Sequence, residues 1–500
     1  MKYVIGIDLG TSSVKALLMN ELGEVCGEAT KPYPLIQKKA GYSEQAPEDW
    51  VEQTTEVLKE LVTRFEGKGN LDDIVGISFS GQMHGLVLLD ESHEVLRPAI
   101  LWNDTRTTKQ CEEIYQTAGR ERILSITKNP ALEGFTLPKL LWVKEHEPDL
   151  FERASVFMLP KDYVRFKMTG AIHSEYSDAA GTLLLDVPNK KWSKEICDIF
   201  GIKDSLCPPL LESHGFAGTL TPEFSRNTGL LAETKVFAGG ADNACGAIGA
   251  NILSEGATLC SIGTSGVILS YEAEDDLDFG GLVHYFNHGK EDAFYTMGVT
   301  LSAGYSLSWF KEQFAKEETM EQLLAGVEDI HPGANGLLFT PYLSGERTPH
   351  PDAKIRASFI GVDATHTRAH FARAVMEGIT FSLNESIEIF REKGKTIDTI
   401  VSIGGGAKNP AWLQMQADIF SARVVTLNKE QGPALGAAIL AAYGAGLFAS
   451  LAECAKVFTA YKDEYMPNQE NVEHYRKLYA LYKKVYPQTK EICESLMEYR

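Results

Sequence analysis

Short apolar runs separated by turn residues predict that the chain begins as a β-meander. The first two runs are joined by a Gly-Thr turn, and a third strand follows the turn at residues 20–23. Farther on, apolar side chains recur at intervals of three and four, the spacing of an amphipathic helix. The elements predicted for the first half are strands at 2–7, 14–19, 73–80 and 86–90, and helices at 47–65 and within 134–147.

The second half repeats this order of a hairpin, further strands and helices. Strands that alternate with helices indicate an α/β protein whose sheets are covered on their faces. We place the division between two domains near residue 250 and expect the ligand in the cleft between them. The predicted elements are strands at 257–262, 267–271, 294–299 and 399–403, helices at 303–314 and 366–393, a buried helix at 434–447 and a charged, solvent-exposed helix from 468 onward.

Composition and charge narrow the class of protein. A chain of 500 residues exceeds what one hydrophobic core usually supports. The net charge of −20 argues against nucleic acid and anionic membrane surfaces as partners, although metal ions and backbone N–H groups can still bind a nucleotide locally. The eight cysteines form no CxxC pair, as in a reduced cytoplasmic protein, and no apolar stretch reaches membrane-spanning length.

A Gly-Thr-Ser motif occurs twice, about half the chain apart. The first copy is Gly10, Thr11 and Ser12, and the second includes Gly263 and Thr264. Glycine turns bring backbone N–H groups close to a ligand, and such turns bind phosphate. Two copies therefore suggest a duplicated architecture that closes on one polyphosphate. Two unrelated hairpin turns are the alternative.

Two aspartates stand where a phosphoryl-transfer site would need them. Asp242 is the one carboxylate in a run of small residues, which suits a general base that accepts a hydroxyl proton. Its alternative role is to cap a helix expected at 244–250. Asp8 ends a buried strand beside the first Gly-Thr turn and would anchor Mg²⁺ through water. The alternative for Asp8 is an Asx-turn within its own hairpin.

Two polar clusters at strand ends predict a sugar site. Met83 and His84 offer an adaptable apolar wall and a hydrogen-bonding ring, and Trp102, Asn103 and Asp104 add an aromatic platform with polar groups. A structural histidine, and a helix cap at Asp104 for a helix starting at the next residue, are the alternatives. Asp178 is left open between a substrate contact and a turn cap.

A glycine-rich turn between a strand and a helix predicts an adenosine wall. Gly405, Gly406 and Ala407 would let the chain pass flat against a ring or a ribose, and Asn409 could read a polar edge. The turn lacks the lysine pattern of a P-loop, and glycine-rich turns of this kind are common, so it is a weak signal alone.

Two longer patterns carry a family resemblance. They are residues 134–146, and 359–362 followed after seven residues by 370–377. With them the chain resembles the FGGY carbohydrate kinases along essentially its full length. The resemblance implies a two-domain α/β fold of the actin/Hsp70/hexokinase type, a duplicated ribonuclease H-like fold. Residues 1–250 would bind the sugar and hold the first phosphate turn and the base, and 251–500 would hold the second turn and adenosine.

The resemblance also implies an activity, ATP-dependent phosphorylation of a sugar with Mg²⁺. The motifs at 82–85, 102–104 and 345–350 favour D-xylulose and its 5-hydroxyl. Gluconate, ribulose or glycerol as substrate, or a nucleotide-driven switch without kinase activity, are the alternatives. ATP and the sugar are the expected partners, without nucleic acid or membrane, and a homodimer is left open.

Residue roles follow from the same resemblance. Met83 and His84 would contact the ketose, Asp242 would accept the proton beside Asn243, and Asp8 would support metal and phosphate. Phosphate and adenosine binding fall to Gly10, Thr11, Ser12, Gly263, Thr264, Gly405, Gly406, Ala407 and Asn409.

Overall fold

Two seven-stranded sheets, one from each half of the chain, form the framework of the computed structural model, which describes residues 1–275 and 277–499. The strands are β1 Tyr3–Leu9, β2 Ser13–Asn20, β3 Val25–Pro32, β4 Glu44–Gln45, β5 Ile74–Gly81, β6 Val87–Leu89, β7 Ala99–Ile100, β8 Val156–Met158, β9 Ser174–Glu175, β10 Leu185–Asp186, β11 Lys191–Trp192, β12 Leu210–Leu211, β13 Phe216–Thr219, β14 Lys235–Phe237, β15 Gly240–Ala241, β16 Gly256–Ile262, β17 Gly266–Glu272, β18 His284–Asn287, β19 Phe294–Thr300, β20 Leu338–Thr340, β21 Ser358–Ile360, β22 Ile397–Gly404, β23 Arg423–Leu427 and β24 Tyr461–Tyr465.

Helices cover both sheets. The α-helices are α1 Pro47–Phe65, α2 Thr108–Ala118, α3 Arg120–Thr127, α4 Thr136–His146, α5 Pro148–Arg153, α6 Pro160–Thr169, α7 Tyr176–Ala179, α8 Lys194–Phe200, α9 Pro222–Thr228, α10 Asp242–Gly249, α11 Gly304–Phe314, α12 Met320–Leu324, α13 Arg368–Glu392, α14 Pro410–Phe420, α15 Pro433–Gly444, α16 Leu451–Phe458 and α17 Gln469–Leu496. Short 3₁₀ segments lie at Leu71–Asp73, Ala180–Thr182, Asp204–Leu206, Ala334–Gly336, Gly405–Ala407 and Met497–Tyr499.

The two sheets repeat one topology. In the first, the strand order is β13-β14-β5-β1-β2-β3, and the seventh strand, β15, pairs with the end of β5; in the second it is β18-β19-β17-β16-β22-β23-β24. In each, the strand before the Gly-Thr turn pairs antiparallel with the strand after it and parallel with a later strand, β5 or β22. The two Gly-Thr turns therefore occupy equivalent places in two copies of one unit, as the predicted duplicated fold requires.

Burial explains why these runs form central strands. Val4, Ile5, Ile7 and Leu9 of β1 are fully buried, because helices cover the sheet on both faces. A parallel strand in such a sheet is apolar on both sides, and its sequence reads as a continuous apolar run. At the carboxyl end of β1, Asp8 interrupts that run and lies opposite Ser80 of β5.

Helices α10 and α15 lie between the two sheets. They pack on each other, and α15, from the second half of the chain, also packs on β1 and β5 of the first sheet. A Cβ on Gly436 of α15 would lie 1.9 Å from the carbonyl oxygen of Cys245 in α10, and one on Gly6 would lie 2.1 Å from that of Ala434. Glycine at these two positions therefore permits the close approach that joins the halves.

Most predicted elements are confirmed within a few residues of their expected ends. The helix at 47–65 has the predicted bounds, and the buried helix expected at 434–447 is α15. The prediction of a solvent-exposed last helix is wrong, because α17 buries Tyr475 and Tyr482 against Phe381 of α13. Its charged residues cover only the outer face. No helix in residues 1–275 or 277–499 has the length and apolar character needed to cross a membrane.

Candidate active site

The first predicted phosphate turn joins β1 to β2, and side chains behind it hold its carbonyl groups. Gln45 Nε2 donates to the Thr11 carbonyl at 2.7 Å, and the Tyr33 hydroxyl donates to the carbonyls of Gly10 and Ser13. Within the described part of the chain, the N–H groups of Thr11 and Ser12 have no hydrogen-bond partner. Carbonyls fixed on one side and free N–H groups on the other form an anion-binding turn.

The second turn joins β16 to β17 and is supported by the start of α11. The Gly304 N–H donates to the Gly263 carbonyl at 2.8 Å, and the N–H groups of Ala303 and Tyr305 donate to the Thr264 carbonyl at 3.0 and 3.1 Å. As in the first turn, the leading glycine closes the turn through its N–H, which donates to Ser265 at 3.0 Å. Both predicted phosphate turns thus have their carbonyls fixed by neighbouring elements.

Asp242 is the first residue of α10 and faces the cleft between the sheets. It is not a helix cap, because Ala241 precedes the helix and α10 begins at the aspartate itself. Its Oδ1 accepts the Asn243 N–H at 2.7 Å and Nδ2 at 3.0 Å, which leaves Oδ2 for another partner. Asp242 and Asn243 line a cavity of about 180 Å³ with Ser261 and Val267 from the strands of the second turn.

The electrostatics suit a base that works near neutral pH. Burial and the negative charge of Asp8 raise the pKa of Asp242 to about 7, against the lowering effect of the Asn243 N–H. Burial also raises the pKa of Asp8, while the Ser80 hydroxyl and the Lys15 charge lower it. A base whose pKa lies near the working pH is ionised often enough to react and still binds a proton strongly enough to accept it from the substrate.

The same two carboxylates fit a divalent cation. Burial raises the pKa of both carboxylates, and the charge of Asp8 raises that of Asp242 further. A positive ion beside them would therefore stabilise their ionised forms. No group of three or more His, Cys, Asp or Glu residues with metal-binding geometry occurs in the described ranges. That donor set suits Mg²⁺, which keeps waters and substrate phosphate oxygens among its ligands.

His84 is a neutral hydrogen-bond acceptor. Its Nδ1 lies 2.6 Å from the Gly181 carbonyl oxygen, which only accepts, so Nδ1 carries the proton and Nε2 presents a lone pair. Burial lowers the pKa of His84 to about 3, so the ring stays neutral at physiological pH. The residue has φ +69°, and Gly181 leaves room for the ring because a Cβ there would lie 2.8 Å from Nδ1.

Met83 connects the sugar wall to the base. It is buried, and its sulfur accepts a weak hydrogen bond from Asn243 Nδ2 at 3.6 Å. Met83, His84, Asp242 and Asn243 were predicted from positions about 160 residues apart, and the structure brings them together. Because Asn243 contacts both Met83 and Asp242, one side chain links the predicted sugar wall to the predicted base.

Several residues of this sugar wall were not predicted from the sequence. Phe135 lies 4.5 Å from the His84 ring, and Phe286 of β18, from the second half of the chain, lies 6.3 Å from it. His284 stacks on Phe286. Lys139 Nζ donates to the His84 carbonyl at 2.8 Å and fixes the backbone from below. Phe135 and Lys139 lie inside the family pattern at 134–146, which was the available signal, whereas nothing local marks β18.

The second predicted sugar cluster divides between the cleft and the interior. The Trp102 side chain is 44% exposed, and its Nε1 donates to Thr11 Oγ1 at 2.9 Å, so this ring borders the first phosphate turn. Asn103 is exposed. The Asp104 carboxylate is buried and accepts the Ser43 N–H and the Arg106 guanidinium. Because α2 begins at Thr108, the alternative of a helix start directly after Asp104 is wrong.

Asp178 belongs to a buried charge cluster. Its Oδ2 lies 3.0 Å from Lys161 Nζ, which also pairs with Asp162 and Glu175, and all four side chains are fully buried. The backbone N–H of Asp178 donates to Glu175, the residue that caps α7. The structure therefore places the Asp178 carboxylate in this buried cluster, in contact with Lys161.

A cavity of about 930 Å³ beside the second turn has the size for a nucleoside. It is lined by Gly263 and Thr264, which are predicted to bind phosphate, and by Gly405 and Asn409, which are predicted to bind adenosine. Gly406 is buried against Ile262, and Ala407 is not among the lining residues. Asn409 Oδ1 caps α14 by accepting the Trp412 N–H at 3.0 Å, so its amide nitrogen is the group left for a ligand. The sequence reading missed the lining residues Tyr305, Leu307, Ser308, Met320, Glu321, Leu324, Lys408, Pro410 and Trp412.

Family models agree with this architecture. Residues 3–249 match the N-terminal domain, and residues 258–445 the C-terminal domain, of the FGGY family of carbohydrate kinases. The chain belongs to this family. It is accordingly an ATP-dependent carbohydrate kinase with the two-domain actin-like fold, and the predicted family and fold are confirmed. The division at residue 250 stays a prediction.

Individual relatives of this FGGY kinase include sugar kinases of known specificity. It is 64% identical to the xylulose kinase of Bacillus subtilis over the full length of both chains, and 36% identical to that of Escherichia coli over 97% of this chain and 98% of the relative. The structure of ligand-bound xylulose kinase from Lactobacillus acidophilus superposes with TM-score 0.92 at 29% identity, covering 98% of this chain and 99% of that one. A gluconate kinase from the same organism gives 0.93 at 29%, covering both chains fully. Overall shape therefore does not distinguish these two sugars.

Proposed function

We propose that this kinase transfers the γ-phosphoryl group of ATP to the 5-hydroxyl of D-xylulose. The choice of sugar is supported by full-length identity of 64% to a xylulose kinase, together with the motifs at 82–85 and 102–104. The observation that carries the chemistry is Asp242, a carboxylate at the start of α10 with a pKa near 7 and one free oxygen beside the Met83–His84 wall.

Asp242 acts as the general base in this proposal. Asn243 holds Oδ1, so Oδ2 accepts the proton of the attacking hydroxyl as the oxygen approaches phosphorus. Such a base contributes about 10²–10⁴-fold, and positioning and charge neutralisation supply the larger share. The neutral His84 Nε2 accepts a hydrogen bond from a sugar hydroxyl, and the exposed face of Trp102 supports the carbon skeleton.

The two Gly-Thr turns bind the phosphates. Free N–H groups at Thr11 and Ser12 donate to phosphate oxygens from one side, and the turn at Gly263 and Thr264 does so from the other. Asp8 holds Mg²⁺ through water in this scheme. When bound, Mg²⁺ neutralises phosphate charge and polarises the transferred group. The nucleoside lies in the 930 Å³ cavity, between the second turn and α14.

Closure of the two halves would keep water from the reaction. Lys15 of β2 donates a hydrogen bond to Gln431. This bond links the first sheet to the segment before α15. A sugar that completes the site and draws the halves together would favour transfer to the sugar over transfer to water. The predicted cytoplasmic location and homodimer stay predictions.

Release of ADP from Mg·ATP with D-xylulose, D-ribulose, L-ribulose, glycerol and gluconate tests the proposal. We expect the highest kcat/KM with D-xylulose and only slow hydrolysis without sugar. The highest turnover with gluconate would mean that the protein is a kinase for a different sugar. Gluconate is included because a gluconate kinase structure matches this fold equally well. ATP hydrolysis that no sugar accelerates would favour the nucleotide-switch alternative and refute the kinase mechanism.

A further inference from the structure

The loop at 345–350 is fixed on both sides of Arg347. The Glu346 carboxylate accepts the N–H groups of Leu301, at 3.0 Å, and of Arg347 itself, at 2.8 Å. On the other side, the Thr348 N–H donates to the Val299 carbonyl at 3.0 Å, and the Val299 N–H donates to Thr348 Oγ1 at 3.2 Å. Glu346 and Thr348 are buried, whereas Arg347 between them is exposed.

These bonds place Arg347 next to the aromatic wall of the sugar site. Val299 uses both backbone groups for Thr348, so Thr348 lies along the edge of β19 that faces away from β17. Strand β18 pairs along that same edge, with His284 opposite Met297. Thr348 therefore continues the line of β18 two residues beyond His284, which stacks on Phe286, and its neighbour Arg347 lies beside that end of β18.

The Arg347 guanidinium makes no hydrogen bond or close ion pair in the described residues, and the carboxylates of Glu133 and Glu346 act on it through their charges alone. In residues 1–275 and 277–499, no hydrogen bond or ion pair engages it, although the buried Arg97, Arg106, Arg165 and Arg373 are all paired. Burial is the main cause that lowers the pKa of His84 and of His284, and the Arg347 charge lowers both further, so the guanidinium lies within electrostatic reach of both rings. Arg347 is not among the charges that shift the pKa values of the two carboxylates at the proposed phosphoryl-transfer end: the charge of Lys15 acts on Asp8, and that of Asp8 acts on Asp242.

We infer that Arg347 is a sugar-binding residue that donates hydrogen bonds to ketose oxygens on the side of the site away from the transferred phosphoryl group. The inference rests on the proposed function. A guanidinium offers five donors and no acceptor, which complements a keto oxygen and its neighbouring hydroxyl. The residue comes from the second half of the chain, so it completes a wall that the first half provides with Met83 and His84.

Steady-state kinetics of Arg347→Gln with D-xylulose test this role. Loss of a charged donor should raise the KM for D-xylulose about tenfold to a hundredfold. The KM for ATP and the sugar-independent ATP hydrolysis should not change. The Tm should change by no more than about 1 °C, because the guanidinium has no hydrogen bond or close ion pair to lose and its exposed charge interacts only weakly with Glu133 and Glu346. In Arg347→Ala, added guanidinium ion should restore part of the lost kcat/KM, which a merely structural role would not allow.

Lys354→Gln is the matched control. Lys354 is a cation of the same loop region, but it is exposed and pairs with Glu494 of α17 at 2.5 Å, so its loss should leave the KM for D-xylulose unchanged. If the wild type is active and Arg347→Gln has an unchanged KM for D-xylulose, with or without a reduced kcat, the inference is overturned while the proposed function stands. Wild type that phosphorylates none of the sugars would overturn the proposed function and this inference with it.

Discussion

Replacing the proposed base should make the protein more stable while it stops the reaction. Asp242→Asn keeps the shape of the side chain, and the amide oxygen can still accept the Asn243 N–H that Oδ1 accepts at 2.7 Å. It removes a carboxylate whose ionised form is disfavoured by burial and by Asp8. An active-site residue that costs stability is a common trade between function and folding.

The pKa gives the size and the pH dependence of this effect. The rise from 3.8 to about 7 corresponds to an upper limit of about 4 kcal/mol, at about 1.4 kcal/mol for each tenfold change in proton affinity. Because the folded-state pKa is the higher one, the cost to the wild type is absent below about pH 4. It grows as the pH rises toward 7 and is constant above that value. The gain in Asp242→Asn follows the same curve.

Thermal unfolding of the wild type and Asp242→Asn at pH 4.5 and pH 8 measures this gain in stability. If all residues unfold together, about 4 kcal/mol raises the Tm by about 4 °C at pH 8, from about 2.1 cal/mol/K of unfolding entropy per residue. The gain should shrink at pH 4.5. A Tm at pH 8 that is equal to or below that of the wild type would refute the reasoning, as would an equal gain at both pH values.

Asp162→Asn is a control of opposite sign. The Asp162 carboxylate is equally buried, but it lies 2.8 Å from both Lys161 and Arg165, whose charges lower its pKa. Removing one partner of a buried charge cluster typically costs about 3–5 kcal/mol. The same chemical change should therefore lower the Tm here, which separates the electrostatic account from a general effect of Asp-to-Asn substitution.

Three further predictions address other parts of the site. In Asp8→Asn, the acidic limb of kcat/KM should move to lower pH, because the Asp8 charge raises the pKa of Asp242; a limb that stays in place in the pH profile of the residual activity would contradict this. Gly436→Ala should destabilise the protein by about 1–3 kcal/mol, because the added Cβ clashes with Cys245. Gly246→Ala in α10 should not destabilise it, because a Cβ there meets no atom within 4 Å. Equal Tm values for the two variants would argue against the close crossing of α10 and α15. His84→Asn, whose side chain tolerates the left-handed backbone, should raise the KM for D-xylulose without changing that for ATP, and a rise in both would remove His84 from the sugar wall.

The parts of the site that could be predicted from sequence are those with local signals. Each Gly-Thr turn stands between two apolar strands, and Asp242 stands alone among small residues, so neighbours along the chain define both features. The equivalence of the two turns could also be predicted, because the duplicated order of elements is visible in the pattern. Local sequence could not show that α15 crosses to the first sheet, although Gly436 permits it.

Features that depend on tertiary packing were missed or read differently. Phe286 reaches His84 only because β18 lies at the edge of the second sheet, against the first half of the chain. The sequence leaves the role of Asp178 open between a substrate contact and a turn cap, because its buried partner Lys161 lies on another helix. The last helix was predicted to be solvent-exposed because charged residues occur along its whole length, although Tyr475 and Tyr482 fall on one buried face. In each case the deciding contact joins distant parts of the chain.

Product analysis tests the central claim most directly. Wild type and Asp242→Asn would be incubated at pH 8 with Mg·ATP and D-xylulose, and ³¹P and ¹³C NMR would identify any phosphate ester and its carbon, with ATP binding measured in parallel. The account predicts a monoester at C5 with the wild type, and none with the variant despite retained ATP binding. An ester formed at similar rates by both proteins, or at another carbon, would contradict it.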